Sequence, residues 1–304
     1  MADFFDNVKA IVLNTKETKS QKLQKLINDL KCTPKEAQNY YTIIQCVQGN
    51  EQDEESIRIA RKRFTMGIEI ECFGVNKSVL GAALSEQGIK SVATGYNHTD
   101  SKDTYKLGAD GSINGNETCE VVSPVLRSLA TLKVVCKVLN ANGAKVNKSC
   151  GLHVHFGAEK FTLKEWVRII INYANIEPVI DSFMALSRRG DNNCYCQSIR
   201  TGADRLKVTM VNSFSDIRSA FSYDRYHKVN VESFMRHKTI EFRQHQGTTD
   251  FTKIQNWVNF LGALVNYSLM NEAPIHATSI EELPFLNDKQ KSYYKQRQQE
   301  LCAF

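Results

Sequence analysis

The chain has 304 residues, 42% of them apolar and 24% charged, with 39 Lys and Arg against 33 Asp and Glu for a formal charge of +6. At about 150 residues per domain it can bury one large core or two modest ones, and the absence of any run of roughly eighteen apolar residues excludes a spanning helix. The mild basic excess suits anionic partners, but without a long basic run or a basic-and-aromatic stacking pattern it is no nucleic-acid signature.

Residues 1–60 read as a small helical region, because apolar residues recur at three- and four-residue spacing through Leu23, Leu26, Ile27 and Leu30, then through Tyr40, Ile43, Ile44 and Val47. The first residues, MADFFDNVKAIVLNTK, lack the basic, apolar and small-residue regions of a signal peptide, so a cytoplasmic location is expected. Gln48 to Glu55 reads as a polar linker, Glu54 to Lys62 could open another helix, and Arg61, Lys62 and Arg63 form the one dense basic cluster, expected to be solvated. The remaining unit is expected over 61–304. Nine cysteines are scattered without a CxxC pair, and Cys194 and Cys196 flank Tyr195 too closely for an easy disulfide, so free and mostly buried thiols are expected.

From Phe64 the pattern turns to period two. Phe64, Met66, Ile68, Ile70 and Cys72 point one way and Gly67, Glu69 and Glu71 the other, which puts two carboxylates on one face about 7 Å apart along the strand. Asp110-Gly-Ser112 is a turn signal. Thr118 to Pro124 supplies Glu120 on a short strand that must end near the proline. In Cys150 to Gly157 the alternation sets Leu152, Val154 and Phe156 against His153 and His155, with Gly151 and Gly157 leaving room beside the imidazoles.

Thr162-Leu-Lys-Glu165 is a capping box opening an amphipathic helix through Trp166, Ile169, Ile170, Tyr173 and Ile176, expected to end at Pro178. Tyr226 to Glu232 offers Lys228, Asn230 and Glu232 on one face, and Thr239 to His245 offers Ile240 and Phe242 inward with Glu241, Arg243 and His245 together on the polar side. A second helix starts at Asp250 with the core stripe Ile254, Trp257, Val258, Leu261, Leu264 and Val265. The tail from Asn287 reads as a surface helix without chemistry.

Three separated strands thus each present two or more ionisable groups on one face. An antiparallel sheet with one wet face would alternate too, but such faces carry mostly Lys, Thr and Ser, whereas this one carries groups that bind metal and phosphate. Carboxylates with imidazole suit magnesium or manganese better than zinc, and acids crowded on one face repel unless divalent cations neutralise them. Metal with Arg243, and with Arg188, Arg189 or Arg200 as further candidates, is equipment for phosphoryl transfer.

In their order, the motifs GIEIE (Gly67 to Glu71), DGS (Asp110 to Ser112), EVVSP (Glu120 to Pro124), GLHVHFG (Gly151 to Gly157), RR…CYC (Arg188 to Cys196), the strand around Asn230 and EFRQHQGT (Glu241 to Thr248) resemble the amidoligase family, a branch of the glutamine synthetase and glutamate-cysteine ligase superfamily. The resemblance runs from about Phe64 to Leu269. It implies an α+β fold in which a curved antiparallel sheet of glutamine synthetase catalytic-domain type is covered on its apolar face by helices over 162–177 and 250–270, leaving the acidic face as a solvated cleft for ATP and metal.

The resemblance further implies that Glu69 and Glu71 hold different magnesium ions, that His153 and Glu241 bind metal, and that Glu120 is a metal or amine-side ligand. His155 would lie nearer nucleotide and substrate, and Arg243 would meet phosphate. Asp110, Arg188, Arg189, Asn230 and His245 complete the expected ATP or substrate contacts, with Glu69, Glu71 and Arg243 catalytic. The implied reaction phosphorylates a carboxylate with ATP, using Mg2+ or Mn2+, and lets an amine displace the phosphate. Its expected partners are amino acids, polyamines, peptides or proteins, with no membrane; nucleic acid and oligomeric state stay open. The chain is similar to members found in phages and fungi, which puts it in the cytoplasm of its own or of a host cell. Two other reactions compete. One is phosphorylation of a guanidino or amide group without ligation. The other is metal-dependent hydrolysis, against which stand the place of HxH after two carboxylate strands and the lack of a βα repeat. An idle binding module is the third alternative, disfavoured by the intact ExE, HxH and ExR sets.

Overall fold

The computed structural model of the chain describes residues 4–14, 16–38, 41, 64–94 and 103–302. Helices α1 (Phe4–Leu13) and α2 (Lys19–Asp29) share a small cluster of buried Val8, Val12, Leu26, Cys32 and Ala37, against which Leu23, Ile27 and Leu30 pack. A capping box of Thr18 and Gln21 starts α2. The expected stripe from Tyr40 to Val47, the linker from Gln48, the further helix toward Lys62 and the cluster at Arg61 to Arg63 lie outside the described residues.

Beyond them the chain builds one seven-stranded sheet, ordered β2-β3-β4-β1-β5-β7-β6. The strands are β1 (Met66–Cys72), β2 (Ser91–Ala93), β3 (Tyr105–Gly108), β4 (Cys119–Val122), β5 (Gly151–Gly157), β6 (Val229–Asn230) and β7 (Thr239–Gln246). Every pairing is antiparallel except β2 with β3, an edge pair that runs parallel where uniform antiparallel pairing was expected. The helices that follow α2 are α3 (Lys77–Glu86), α4 (Ala130–Ala141), α5 (Leu163–Ser182), α6 (Arg200–Val208), α7 (Phe214–Ala220), α8 (Ser233–His237), α9 (Phe251–Met270) and α10 (Asp288–Cys302). The fold is mixed α+β, and no helix among the described residues is long and apolar enough to cross a membrane.

The period-two pattern acts as read. Met66, Ile68, Ile70 and Cys72 of β1, Leu152, Val154 and Phe156 of β5, and Ile240 and Phe242 of β7 are all buried in one core with the stripes of α5 and α9. Phe242 sits between Phe156, 6.1 Å away, and Tyr173 of α5, 5.6 Å away. The capping box of Thr162 and Glu165 starts α5, and Asp250 caps α9 by accepting from the Thr252 and Lys253 amides. Cys32, Cys72, Cys119, Cys136, Cys150, Cys194 and Cys196 are free, and of these all but Cys194 are buried.

Three expectations need correction. Helix α5 does not stop at Pro178 but runs through it to Ser182; burial of Val179 and Ile180 and ion pairs from Glu177 and Asp181 outweigh the missing amide. Helix α10 is not merely a surface tail, because Tyr294 is buried 4.4 Å from Phe183 and 5.1 Å from Phe260. Lys228 does not share a face with Asn230. It is fully buried on the helix side, 2.9 Å from Glu177 and 2.8 Å from Asp181, whereas Asn230 bonds Glu241 on the other face and Glu232 pairs with Arg218.

The Lys228 cluster ties the sheet to the segment that arches from α5 to α6. Gln244 of β7 donates to Asp181 and to the Arg188 carbonyl and accepts from Tyr173, while Glu177 and Asp181 accept the backbone amides of Ile199 and Gly190. Replacing Lys228 with Met strands two acids behind the sheet, where leaving one partner of a buried ion pair costs roughly 3–5 kcal/mol. Urea unfolding of Lys228→Met should therefore show a loss of about that size, and a loss below about 1 kcal/mol, the surface-pair scale, would refute the account.

Candidate active site

Register decides which side chains meet. Lys106, Val122, Glu69 and His153 stand side by side on β3, β4, β1 and β5; Gly108, Glu120 and Glu71 form the next row; Gly67, His155, Glu241 and Asn230 form the row on the other side of Glu69. Directly opposite residues in such ladders lie about 5 Å apart, so these acids and imidazoles form one continuous patch.

His153 is its hub. Its Nδ1 lies 2.9 Å from Glu69 and 3.7 Å from Glu241, and its Nε2 lies 3.5 Å from Glu71. Glu71 also accepts the Gly151 amide at 2.5 Å. A Cβ at Gly151 would come within 2.8 Å of the His153 ring, so the glycine expected to leave room does so. His155 turns Nδ1 toward the hydroxyls of Thr239 at 3.0 Å and Ser233 at 3.2 Å, and Nε2 toward Glu69 at 3.3 Å. That Nε2 is buried and makes no aligned hydrogen bond, which leaves a nitrogen aimed into a pair of carboxylates. Arg243 donates to Glu241 at 2.6 Å and to the Tyr195 carbonyl at 3.3 Å, and Asn230 donates to the second oxygen of Glu241 at 2.6 Å. Asp110 binds the amide and hydroxyl of Ser112, which closes the expected turn.

These groups set one another's charge. Burial pushes the Glu69 carboxyl up, but His155 and His153 outweigh it and hold it well below the usual carboxylate range. Burial opposes ionisation of Glu241 as well, and Arg243 with His155 keeps it low. Glu120 has no such partner: burial first, then Glu69, Asp110 and Glu71, push it well above the ordinary value. Burial would lower His155, but Glu241 and Glu69 overcome it and raise the imidazole.

Three sets of ligand atoms lie close enough to share a cation: Glu69, His155 and Glu241; Glu69, Glu120 and His153; Glu71, Asp110 and Glu120. Within each set the atoms are all inside 4.8 Å of one another. Glu69 and Glu71 fall in different sets, and the oxygen-rich donors fit a hard divalent cation.

On this arrangement of strands and motifs the sequence matches, over residues 62–265, the family model described as "Putative amidoligase enzyme". The chain belongs to the amidoligase family. No curated protein matches it. The family is named for amide-forming ligases, which take carboxylate and amine substrates.

Within this amidoligase the expected site residues divide. Glu69, Glu71, Asp110, Glu120, His153, His155, Asn230, Glu241 and Arg243 come together on the acidic face. Arg188 lies apart: it is buried, donating to the carbonyls of Cys150 and Ser149 and to the Cys196 sulfur. Arg189 donates to the Met184 carbonyl, and Arg200 is exposed at the start of α6 beside Asp204 and His276. These arginines hold backbone or face solvent rather than line the acidic patch. The patch itself is no open wet face either, since Glu71, Glu120, His153 and Glu241 are all buried. Lys106, in the row of Glu69, is a member of the face that the motifs passed over; its signal was the alternation Tyr105, Lys106, Leu107 just before the Asp110 turn.

His245 crosses to the other face. Between Leu152 and Val154 the partner residues on β7 jump from Phe242 to His245, so three residues span the place of two and the alternation slips. The imidazole then packs 5.6 Å from Trp257 of α9, with Nδ1 donating to the Gln246 carbonyl at 2.6 Å. Burial lowers its pKa to about 3. Below the ordinary value near 6.5 the unfolded chain takes a proton the folded chain refuses, so His245 costs stability as pH falls from about 6.5 toward 3. In His245→Gln the fall of unfolding free energy between pH 6 and pH 4 should be shallower than in wild type, by up to about 1.4 kcal/mol per pH unit. Parallel curves for the two proteins would contradict the buried, neutral imidazole.

Proposed function

We propose that this amidoligase is an ATP- and magnesium-dependent carboxylate–amine ligase with a catalytic sheet of glutamine synthetase type, and that residues 61–304 form its catalytic domain. The observation that carries the reading is the run of three overlapping carboxylate and imidazole sets along one sheet face with Arg243 at its side. Glu69, His153, Glu120, Glu241, Glu71 and Asp110 would hold the cations, with His155 as an added ligand in place of the substrate contact first expected of it. Bound divalent ions would screen the nucleotide phosphates and neutralise charge on the phosphoryl group in flight.

The protein's own groups supply the rest. Arg243, fixed by Glu241 and by the Tyr195 carbonyl, keeps a guanidinium where phosphoryl oxygens gather charge. Asn230 fixes the orientation of Glu241, and Thr239 with Ser233 fixes the His155 ring. A substrate carboxylate oxygen attacks the γ-phosphorus and the bond to the bridging oxygen breaks, releasing ADP. The amine nitrogen then attacks the activated carbonyl, phosphate departs with its electron pair, and the amine gives up a proton.

The test is release of ADP and phosphate from ATP and magnesium with a panel of amino acids, polyamines and short peptides. Release should need a carboxylate and an amine together. Glu69→Gln and Glu241→Gln should lower it roughly 100-fold or more, the scale of losing a charge-stabilising group, with circular dichroism unchanged. ADP formation that requires a guanidino or amide acceptor and no carboxylate would instead mark a phosphotransferase, and full activity in either variant would overturn the assignment of the site.

A further inference from the structure

One pocket, of ≈ 210 Å³, adjoins the acidic patch on the same sheet face. Its floor is Gly67, where a side chain would project into the space; Glu69 and His155 bound it toward the acids, and Val122, Pro124 and Val125 form an apolar wall. Lys106 lines it too, from β3. Lys106 is 8% exposed and its side chain makes no hydrogen bond or ion pair to any described residue, so the surface its ammonium keeps is the surface that lines this pocket. Lys228, fully buried, and Arg243, partly buried, each hold a carboxylate.

An ammonium enclosed by protein on most sides and open only to a pocket has no counter-ion of its own, and an anion entering that pocket would supply one. Lys106 stands two strands from Glu69 in the same row, about 10 Å across the sheet. An anion held there lies beside the candidate metal sets, not within them. The volume is below the roughly 300–1,000 Å³ of pockets that enclose drug-sized ligands, which favours a small acid over a whole nucleotide. We propose that this pocket binds a small carboxylic-acid substrate through a carboxylate that stays outside the reaction, with Lys106 as its counter-ion and the Val122–Pro124–Val125 wall against its carbon chain. The proposal rests on the ligase reading, in which a second group of the same substrate reaches the acidic patch at Glu69.

Binding tests it without turnover. Calorimetry on the full chain would use acetate, succinate and the common amino acids, with succinamide as an uncharged control, and separately Mg-ATP and inorganic phosphate. At least one carboxylate should bind wild type while the diamide does not. Lys106→Met should weaken that carboxylate roughly ten- to a hundredfold, the factor for a lost charge-assisted hydrogen bond, and leave Mg-ATP within about twofold, below the weight of one such bond. Because no partner is stranded, Lys106→Met should melt no lower than wild type. Val122→Glu, which tethers a carboxylate across the ladder from Lys106, should block the carboxylates as well and supplies the answer if the first variant fails to fold. Loss of Mg-ATP or phosphate with carboxylates unaffected would give Lys106 to the nucleotide and overturn the proposal, as would the absence of any carboxylate binding to wild type. Failure of Mg-ATP to bind wild type, with the carboxylate effect intact, would strike the ligase reading and the link to it but not the subsite.

Discussion

Like charges crowded on one side of a sheet are the constraint around which this protein is organised. Glu69, Glu71, Asp110, Glu120 and Glu241 sit within a few residues of one another across three strands and a turn. Carboxylates at such spacing cannot all ionise without compensation. The chain supplies part of it: two imidazoles in the middle, a guanidinium on Glu241, a backbone amide on Glu71 and an amide side chain on Glu241. Glu120, which receives none of these, is the acid pushed furthest toward its neutral form. The remaining deficit of positive charge is what the proposed divalent ions would supply.

Holding such a face together requires a rigid floor, and the opposite side of the sheet provides it. There the same strands present Ile, Val, Phe and Cys to α5 and α9, whose stripes bury Trp166, Tyr173 and Trp257. Each such side chain contributes on the order of 1.5–3 kcal/mol of burial, enough to offset the strain of gathering acids. One polar cluster interrupts this layer. Lys228, Glu177, Asp181, Gln244 and Tyr173 satisfy one another there and reach the backbone of the arching segment. That segment carries Tyr195, whose carbonyl receives Arg243, so the buried ion cluster behind the sheet helps place the cation in front of it.

Much of this was legible in the residues, and the failures have physical causes. Period two in β1, β4 and β5 placed Glu69, Glu71, Glu120, His153 and His155 correctly, because those strands are regular and half their positions are strongly apolar. The N-terminal caps of α5 and α9 were equally plain, since Thr162 with Glu165 and Asp250 act through local bonds. Pro178 misled because a local penalty lost to tertiary packing. Arg188 looked like a phosphate ligand because sequence shows charge but not that backbone carbonyls of 149 and 150 wait within its reach. Lys106 escaped notice for the converse reason: a single Lys in a four-residue strand reads as a wet edge position until neighbours bury it.

The bulge in β7 joins these threads. A regular strand would have sent Glu241, Arg243 and His245 to the acidic face together and left Gln244 alone behind the sheet. The extra residue moves His245: Glu241 and Arg243 still complete the charged patch and Gln244 still enters the ion cluster, while His245 joins the aromatic layer at Trp257. Bulges gather beside functional sites because they re-aim side chains without ending the strand. An additional imidazole at the front would have competed with Arg243 for Glu241. One slip in register thus removes an imidazole from the acidic face and adds it to the aromatic layer, while Arg243 and Gln244 keep the opposite sides that strict alternation gives them.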